Sequence, residues 1–366
     1  MSAQALRIVH TESSLGWGGQ EIRILLEARG LIGRGHDVRL LCAPGARILR
    51  EAPNWGVPAE ALPIARKRVA GLRALLEWFR AHRADVVCTH SSTDSWLAAL
   101  ALLALGRPAP IVRMRHISAP VPRDPLTRWL YARAAARVVT TGEALRRRLV
   151  EENRFPAERI VSVPTGVDCA RFRPGDRAAA RAALGLAPDR VLVGIVATLR
   201  SWKGHRDLVE ALARLPATVH LVIVGDGPQR SAIEAQVAQL ALGARVVMAG
   251  DQADVLPWLR ALDIFALPSY ANEGVPQALV QAMLVELPCV TTAVGAIGEI
   301  AEHERTAIVV PPRDPQALAE AIARLAADAE RRRALGAAAR RRCVEDYALE
   351  RMLDRMEAIY REVARA

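Results

Sequence analysis

Residues 269–283 read Ser-Tyr-Ala-Asn-Glu-Gly-Val-Pro-Gln-Ala-Leu-Val-Gln-Ala-Met, a polar loop that carries one carboxylate and opens onto an apolar helical stretch. Glu273 precedes Gly274, which permits close backbone approach, and Val275-Pro276, where the proline suits a first helical turn that needs no N–H from it. The N–H groups that begin such a helix point back at the loop. A carboxylate accepts hydrogen bonds from two hydroxyls and a helix N-terminus favours phosphate. The segment therefore has the chemistry to hold a sugar and a diphosphate of one ligand. The plainer use of Glu273 is a helix-start carboxylate favoured by the dipole.

Four other segments bear polar groups where a strand gives way to a loop. Gly16-Trp17-Gly18-Gly19-Gln20-Glu21 follows a first strand and precedes a helix over 22–31, so backbone N–H groups at Gly18 and Gly19 can approach a phosphate or a sugar. Its spacing is not GxGxxG and no acidic residue ends the second strand, which argues against a nicotinamide dehydrogenase. His90 closes the run Asp85-Val86-Val87-Cys88-Thr89-His90, and Arg113, Arg115 and His116 close the next one. Open α/β sheets bind ligands at such strand ends, although a histidine also serves there as a simple cap. Ala197-Thr198-Leu199-Arg200-Ser201-Trp202-Lys203-Gly204 contains one of only two lysines in the chain, the other being Lys67. An ammonium there, with Arg200, is placed for a leaving diphosphate, the alternative being a solvated turn lysine. Gly225-Asp226-Gly227-Pro228, Ala249-Gly250-Asp251 and 294–299 complete the set, as nucleobase-facing or purely structural turns.

In order and spacing these motifs resemble glycosyltransferase family 4 (group 1), retaining enzymes of the GT-B fold, and the likeness is to the bacterial lipopolysaccharide and glycolipid type. The family's donor motif reads Glu, seven residues, Glu; here Glu273 is matched and Gln281 holds the second position. Thr198 stands at a family arginine, and Thr165 at a family asparagine. The resemblance implies catalytic roles for His90, Lys203 and Glu273. It implies donor contacts from Gly18, Gly19, Arg200, Lys203, Gly227, Glu273, Gly274, Val275, Pro276 and Gln281, and acceptor-side places for Arg113, Arg115 and His116. It also implies metal-independent transfer with retention, from a nucleotide-sugar that is a substrate and not a cofactor.

The elements that must position these groups follow from the pattern of the whole chain. With 366 residues, of which 51% are apolar, the chain has the size of two Rossmann-like domains. Short β-branched runs alternate with amphipathic stretches, the rhythm of βαβ units and parallel sheets. Strands are expected at 6–10, 38–43, 86–89, 111–115, 138–141 and 160–163, then at 191–197, 219–224, 244–248, 264–267, 289–292 and 307–310. The rhythm breaks at Pro164-Thr165-Gly166 and Pro174-Gly175. We expect an acceptor-binding domain over 1–172, a nucleotide-sugar domain over 173–346, and a helix over 347–366 with Met352, Met356, Ile359 and Val363 on one face. In the family's GT-B fold two such domains face each other across a cleft and the last helix crosses back to the first.

Charge is divided unevenly. Residues 1–174 carry a net +12 and residues 175–366 a net −1. A basic half suits an anionic membrane or nucleic acid, but no RNA-binding signature or zinc-finger spacing is present and aromatics are 4% of the chain, so nucleic acid is not an expected partner. Arg66-Lys67-Arg68, 113–137 and Arg146-Arg147-Arg148 are the basic clusters. The apolar residues Leu72, Leu75, Leu76 and Phe79 that follow the first have helical spacing and either insert in lipid or face the core. The longest apolar run, 96–105, is about half of the ~20 residues a membrane span needs. The N-terminus runs into a strand without a signal-peptide pattern. The expected location is the cytoplasm, peripheral to the inner face of the membrane. Cys42, Cys88, Cys169, Cys289 and Cys343 lack paired spacing and read as reduced filler without a metal role.

The combined expectation is transfer of a hexosyl or N-acetylhexosaminyl unit, from a UDP-sugar first, to a hydroxyl of a lipopolysaccharide precursor or other envelope glycolipid. The alternatives are a non-catalytic sugar-nucleotide-binding protein and an enzyme like UDP-N-acetylglucosamine 2-epimerase.

Overall fold

The structure is a computed structural model that describes residues 4–365. It divides into two α/β units, one of 1–164 with 350–366 and the other of 165–349. The boundary falls at Pro164, where the strand rhythm breaks, and not at 172.

The first unit is built on seven strands, β1 (Arg7–Glu12), β2 (Asp37–Cys42), β3 (Ala59–Ala61), β4 (Val86–Thr89), β5 (Ile111–Arg115), β6 (Ala135–Thr140) and β7 (Ile160–Ser162). Their order is β3-β2-β1-β4-β5-β6-β7, every pair parallel. The first helices of interest are α1 (Gly19–Gly33), after β1, and α2 (Ser92–Ala104), after β4. Strands β4 and β5 match the expected ranges, and β1, β2, β6 and β7 shift by a few residues. Strand β3, Ala-Glu-Ala, is additional: it lacks β-branched residues and pairs only with β2, so no local pattern announces it. The apolar run at 96–105 lies almost wholly in α2, which buries Leu97, Ala98, Ala99, Ala101 and Leu102. Leu75 and Phe79 are core residues, with Leu72 and Leu76 packed against the same cluster, so that face is not free for lipid.

The second unit contains β8 (Val191–Val196), β9 (Val219–Val224), β10 (Val246–Gly250), β11 (Ile264–Leu267), β12 (Cys289–Thr291) and β13 (Ile308–Val309), in the parallel order β10-β9-β8-β11-β12-β13. Helix α3 (His205–Ala213) follows β8 by way of a 3-10 turn at Ser201–Lys203, and α4 (Gln277–Leu284) follows the loop after β11. Helix α5 (Ala329–Asp346) is the Arg-rich helix.

In each sheet the strand order reverses once, between β1 and β4 and between β8 and β11. Loops diverge above such a point and leave a crevice at the carboxyl ends of the strands. The segments 16–21, 85–90, 197–204 and 269–283 lie at the ends of these very strands.

Helix α6 (Leu349–Arg365) returns to the first unit, as expected of the terminal helix. It buries Met352, Met356, Ile359 and Val363, and also Leu353 and Tyr360. A Cβ on Gly30 of α1 would stand 2.4 Å from Leu353 Cδ1, so the Leu353 side chain packs directly on the α1 backbone there. Arg34 closes the contact with Glu350 at 2.7 Å, Asp354 at 2.8 Å and Glu357 at 3.1 Å. All five cysteines are unpaired thiols, four of them buried.

Candidate functional site

In the second unit the two loops at the strand reversal meet. Gly204, which ends the turn after β8, has φ 75° and a Cβ there would stand 2.2 Å from the Pro268 carbonyl oxygen. The Tyr270 amide donates to the Trp202 carbonyl at 2.8 Å. These contacts set Lys203 Nζ 2.7 Å from Glu273 Oε1, with the carboxylate buried and the ammonium mostly so. From the other side Gly295, at φ 63°, lies so close that a Cβ would approach the Glu273 carbonyl oxygen to 2.1 Å. Thr292 Oγ1 donates to the Ser269 carbonyl at 2.6 Å and Arg313 covers the Tyr270 ring at 4.1 Å, fixing the rest of the loop.

Gly274 and Val275 lead to Pro276, whose extended backbone (φ −72°, ψ 123°) precedes α4, and no side chain caps that helix. Its first N–H groups remain for a ligand. Ser269 Oγ and Gln277 Oε1 are buried beside it in sequence without a protein partner, as are both ring nitrogens of His205. Buried polar atoms are normally satisfied, so these mark places where a ligand or water completes the structure. Gln281 is buried on α4. Arg200 is exposed and its guanidinium lies 5.8 Å from the Trp202 ring, not on the Lys203 and Glu273 pair. Gly227 packs its turn on the loop after β8, where a Cβ would be 2.9 Å from Leu199 N; its first role is structural.

In the first unit the register of β1 with β4 and of β4 with β5 brings three strand ends into one row. His10 Nδ1 lies 2.8 Å from His90 Nε2, and His90 Nδ1 lies 3.1 Å from His116 Nε2. Both nitrogens of His90 are thus engaged, and the open nitrogen of the row is His116 Nδ1. Burial holds His90 and His116 well below the ordinary imidazole range, each lowered further by neighbouring cations or imidazoles, and pushes His10 down to about 3. The row is neutral near neutral pH.

Next to it lies a buried pair of acids. Asp94, in the first turn of α2, accepts from the His90 amide and Thr11 Oγ1, both at 2.9 Å, and from the Ser91 amide at 3.0 Å and Ser13 Oγ at 3.1 Å. Glu12 accepts from the Ser14 amide at 2.7 Å and from Ser91 Oγ at 2.6 Å, and Gln20 of α1 bonds it as well. Burial first, and then the charge of Asp94, push Glu12 up to about 8; burial pushes Asp94 up to about 6. Gln20 also donates to Ser91 Oγ at 3.0 Å and so ties the Gly18-Gly19 turn to the β4 end.

Two expected acceptor-side residues serve the interior. Arg113 is buried, with its guanidinium 4.5 Å over the Tyr131 ring and Nη2 3.2 Å from the Tyr131 hydroxyl, while Nε and Nη1 have no partner. Arg115 donates to the Ala119 carbonyl. His10, Glu12, Gln20 and Asp94 were not singled out from sequence. His10, Glu12 and Asp94 sit within or against apolar segments, and only the strand order gives them their partners.

Among the described residues, one group has the donor set for a metal: Cys88 Sγ with one ring nitrogen each of His10 and His90, all within 4.8 Å of one another. Two nitrogens and a sulfur suit zinc. The imidazoles, however, are hydrogen-bonded to each other and burial holds the Cys88 thiol protonated, far from the thiolate a metal needs.

Comparison with known proteins identifies the family of the chain. The profile of the family described as Glycosyltransferase Family 4 matches residues 17–171, and that of Glycosyl transferases group 1 matches residues 176–342. A D-inositol 3-phosphate glycosyltransferase of Xylanimonas cellulosilytica is 30% identical over 92% of this chain and 91% of its own length. The lipopolysaccharide core biosynthesis mannosyltransferase LpsB of Rhizobium meliloti is 30% identical over 55% of this chain and 60% of its own. Several further D-inositol 3-phosphate glycosyltransferases match over about half of their own length. Anabaena Alr3699/HepE, solved in complex with UDP-glucose, superposes with a TM-score of 0.88 over 98% of this chain and 100% of its own, at 22% identity. Matching profiles on both units, a relative aligned along nearly the whole chain, and a doubly wound parallel sheet in each unit lead to one assignment: the chain belongs to glycosyltransferase family 4, group 1, with the GT-B fold.

Proposed function

We propose that this protein transfers a hexosyl or N-acetylhexosaminyl unit from a nucleoside diphosphate sugar to a hydroxyl of a lipopolysaccharide precursor or another envelope glycolipid, with retention and without a metal. The observation that carries the reading is the Lys203 and Glu273 ion pair beside the uncapped start of α4. A sugar hydroxyl takes up a carboxylate lone pair, and the diphosphate takes the ammonium and the helix N–H groups. As the glycosidic bond ionises, negative charge grows on the departing diphosphate, and preorganised positive groups stabilise that state more than the ground state. The same phosphate oxygen accepts the acceptor proton, which accounts for retention. UDP-glucose in HepE favours a UDP-sugar donor, and the LpsB likeness favours a lipopolysaccharide acceptor.

The acceptor has a second reading. Because the relative aligned over most of the chain is named for D-inositol 3-phosphate, a phosphorylated cyclitol is the alternative. The test is transfer of labelled sugar from a panel of nucleotide-sugars. Label in the lipid or lipopolysaccharide fraction, with release of nucleoside diphosphate, is expected. Label only in a soluble inositol phosphate establishes the second reading, and saturable donor binding without release refutes transfer.

The membrane part of the proposal rests on the exposed cluster Arg66, Lys67 and Arg68, followed by Val69, which is 75% exposed. Each such cation contributes about 1 kcal/mol near an anionic surface. No described helix is long and apolar enough to cross a membrane. Docking at the inner face of the cytoplasmic membrane is therefore expected to be electrostatic. Sedimentation with anionic but not neutral vesicles, lost at high salt and on charge reversal of the cluster, is the expected result; equal binding to both, or to neither, refutes it.

A further inference from the structure

The geometry points to His10 and His90 as positioning residues that hold His116 in its Nδ1–H form, so that the open nitrogen of the row is a hydrogen-bond donor to a sugar oxygen. The rings of His10 and His90 are 17° from parallel, and those of His90 and His116 27°. Each link needs one N–H and one lone pair. A neutral row therefore has two consistent states. Either every ring carries its proton on Nε2, with His116 Nδ1 an acceptor, or every ring carries it on Nδ1, with His116 Nδ1–H a donor.

The inner end decides between them. His10 Nε2 is buried and has no partner, whereas His116 Nδ1, also without a partner among the described residues, lies on a half-buried side chain. In the first state an N–H is stranded at the inner end, and orphaned buried N–H groups are rarer in proteins than under-satisfied acceptors. In the second state only a lone pair is stranded. The Cys88 thiol, a weak donor kept protonated by burial, lies within 4.8 Å of a ring nitrogen of His10. The His116 carbonyl, bonded by Thr141 Oγ1 at 3.0 Å, fixes the backbone that carries the ring.

The row also ends there. With no proton acceptor beyond His10 Nε2 it orients a hydrogen bond and does not conduct a proton. This inference rests on the sugar-transfer reading only for the nature of the oxygen that His116 meets.

The tautomers are read directly by two-bond nitrogen–proton correlation NMR on the intact protein near neutral pH, without substrate. The expected result is Nδ1–H on His10, His90 and His116, the form that free histidine disfavours. Nε2–H on His116, or an exchanging mixture, overturns the inference. In kinetics, His116→Asn keeps a donor near the Nδ1 position and His116→Gln does not. The Asn variant is expected to retain about tenfold more kcat/KM, what one neutral hydrogen bond contributes. Equal losses also overturn it. In His10→Asp the carboxylate only accepts, which forces His90 to donate inward; His116 is then expected as Nε2–H with kcat lowered and donor KM little changed, and a retained Nδ1–H signal contradicts the coupling. Absence of transfer with every donor, alongside the expected tautomers, refutes the sugar-transfer reading alone.

Discussion

Lys203 and Glu273 face each other at 2.7 Å, so a bound donor must compete with the pair. A diphosphate must share the ammonium, and a sugar hydroxyl must share the carboxylate. Removing a contact made chiefly in the transition state costs about 10² to 10³ in rate. We therefore expect Lys203→Ala to lower kcat by that order while circular dichroism stays native; near-normal turnover sinks the assignment. Arg200 is exposed near Trp202, and Arg200→Ala is expected to have the smaller effect. Gln281 stands where the family motif has a carboxylate. An amide binds a ribose diol less strongly than a carboxylate, so Gln281→Glu should keep or tighten donor affinity in calorimetry. If it abolishes binding while Gln281→Ala is harmless, Gln281 does not meet the ribose. Lys203 was legible because one of only two lysines sits at a strand-end turn, and Glu273 because a lone carboxylate precedes Gly274 and Pro276 at the start of an apolar helix. Their mutual bond was not, since it depends on Gly204 and Gly295 letting two loops approach.

The strands were mostly legible for a physical reason: buried parallel strands need β-branched runs, and each such run was bounded by turn residues. The alanine-rich β3 had no such signature, and the histidine row follows from strand order, which no window of sequence contains. Order also explains why glycines at loop junctions matter. Gly295 has a positive φ and would bring a Cβ to 2.1 Å from the Glu273 carbonyl oxygen, a backbone atom that cannot swing aside. Gly295→Ala must move the donor loop or strain its own backbone, at a cost of about 1–3 kcal/mol. The expected outcome is a lower melting temperature together with a donor KM raised several-fold. A variant with native KM shows that the loop tolerates the displacement. Helix α6 offers a separate test in the first unit. The Tyr360 hydroxyl bonds Glu27, whose carboxylate lies 3.8 Å from Arg23, all three fully buried. Tyr360→Phe leaves that carboxylate short of a donor, and about 1–3 kcal/mol should be lost in urea unfolding.

Across the whole molecule, stability should pass through a maximum near neutrality, because two sets of buried groups titrate against folding from opposite sides. His10 and His205 are pushed down to about 3, and His90 and His116 well below their ordinary value, chiefly by burial. A group with a depressed folded pKa favours folding above its unfolded pKa, about 6.5 for histidine. That contribution is lost as pH falls from there, where the unfolded chain binds protons that the buried rings refuse. The carboxyls act in the other sense. Glu12 is pushed up to about 8 and Asp94 up to about 6, so their contribution is complete only below their unfolded values near 4 and is lost as pH rises through the folded ones. Below about pH 6 four histidines outweigh two carboxyls and stability climbs with pH; above about pH 7 the histidines are neutral in both states and Glu12 dominates. A melting temperature measured from pH 5 to 9 should therefore rise and then fall. Glu12→Gln, which keeps hydrogen-bonding groups without the titration, should flatten the alkaline limb and steepen the acid limb, where one carboxyl no longer opposes the histidines. An alkaline limb that persists undiminished in that variant would show that Glu12 is not held protonated, and the buried acid pair would need another account of its charge.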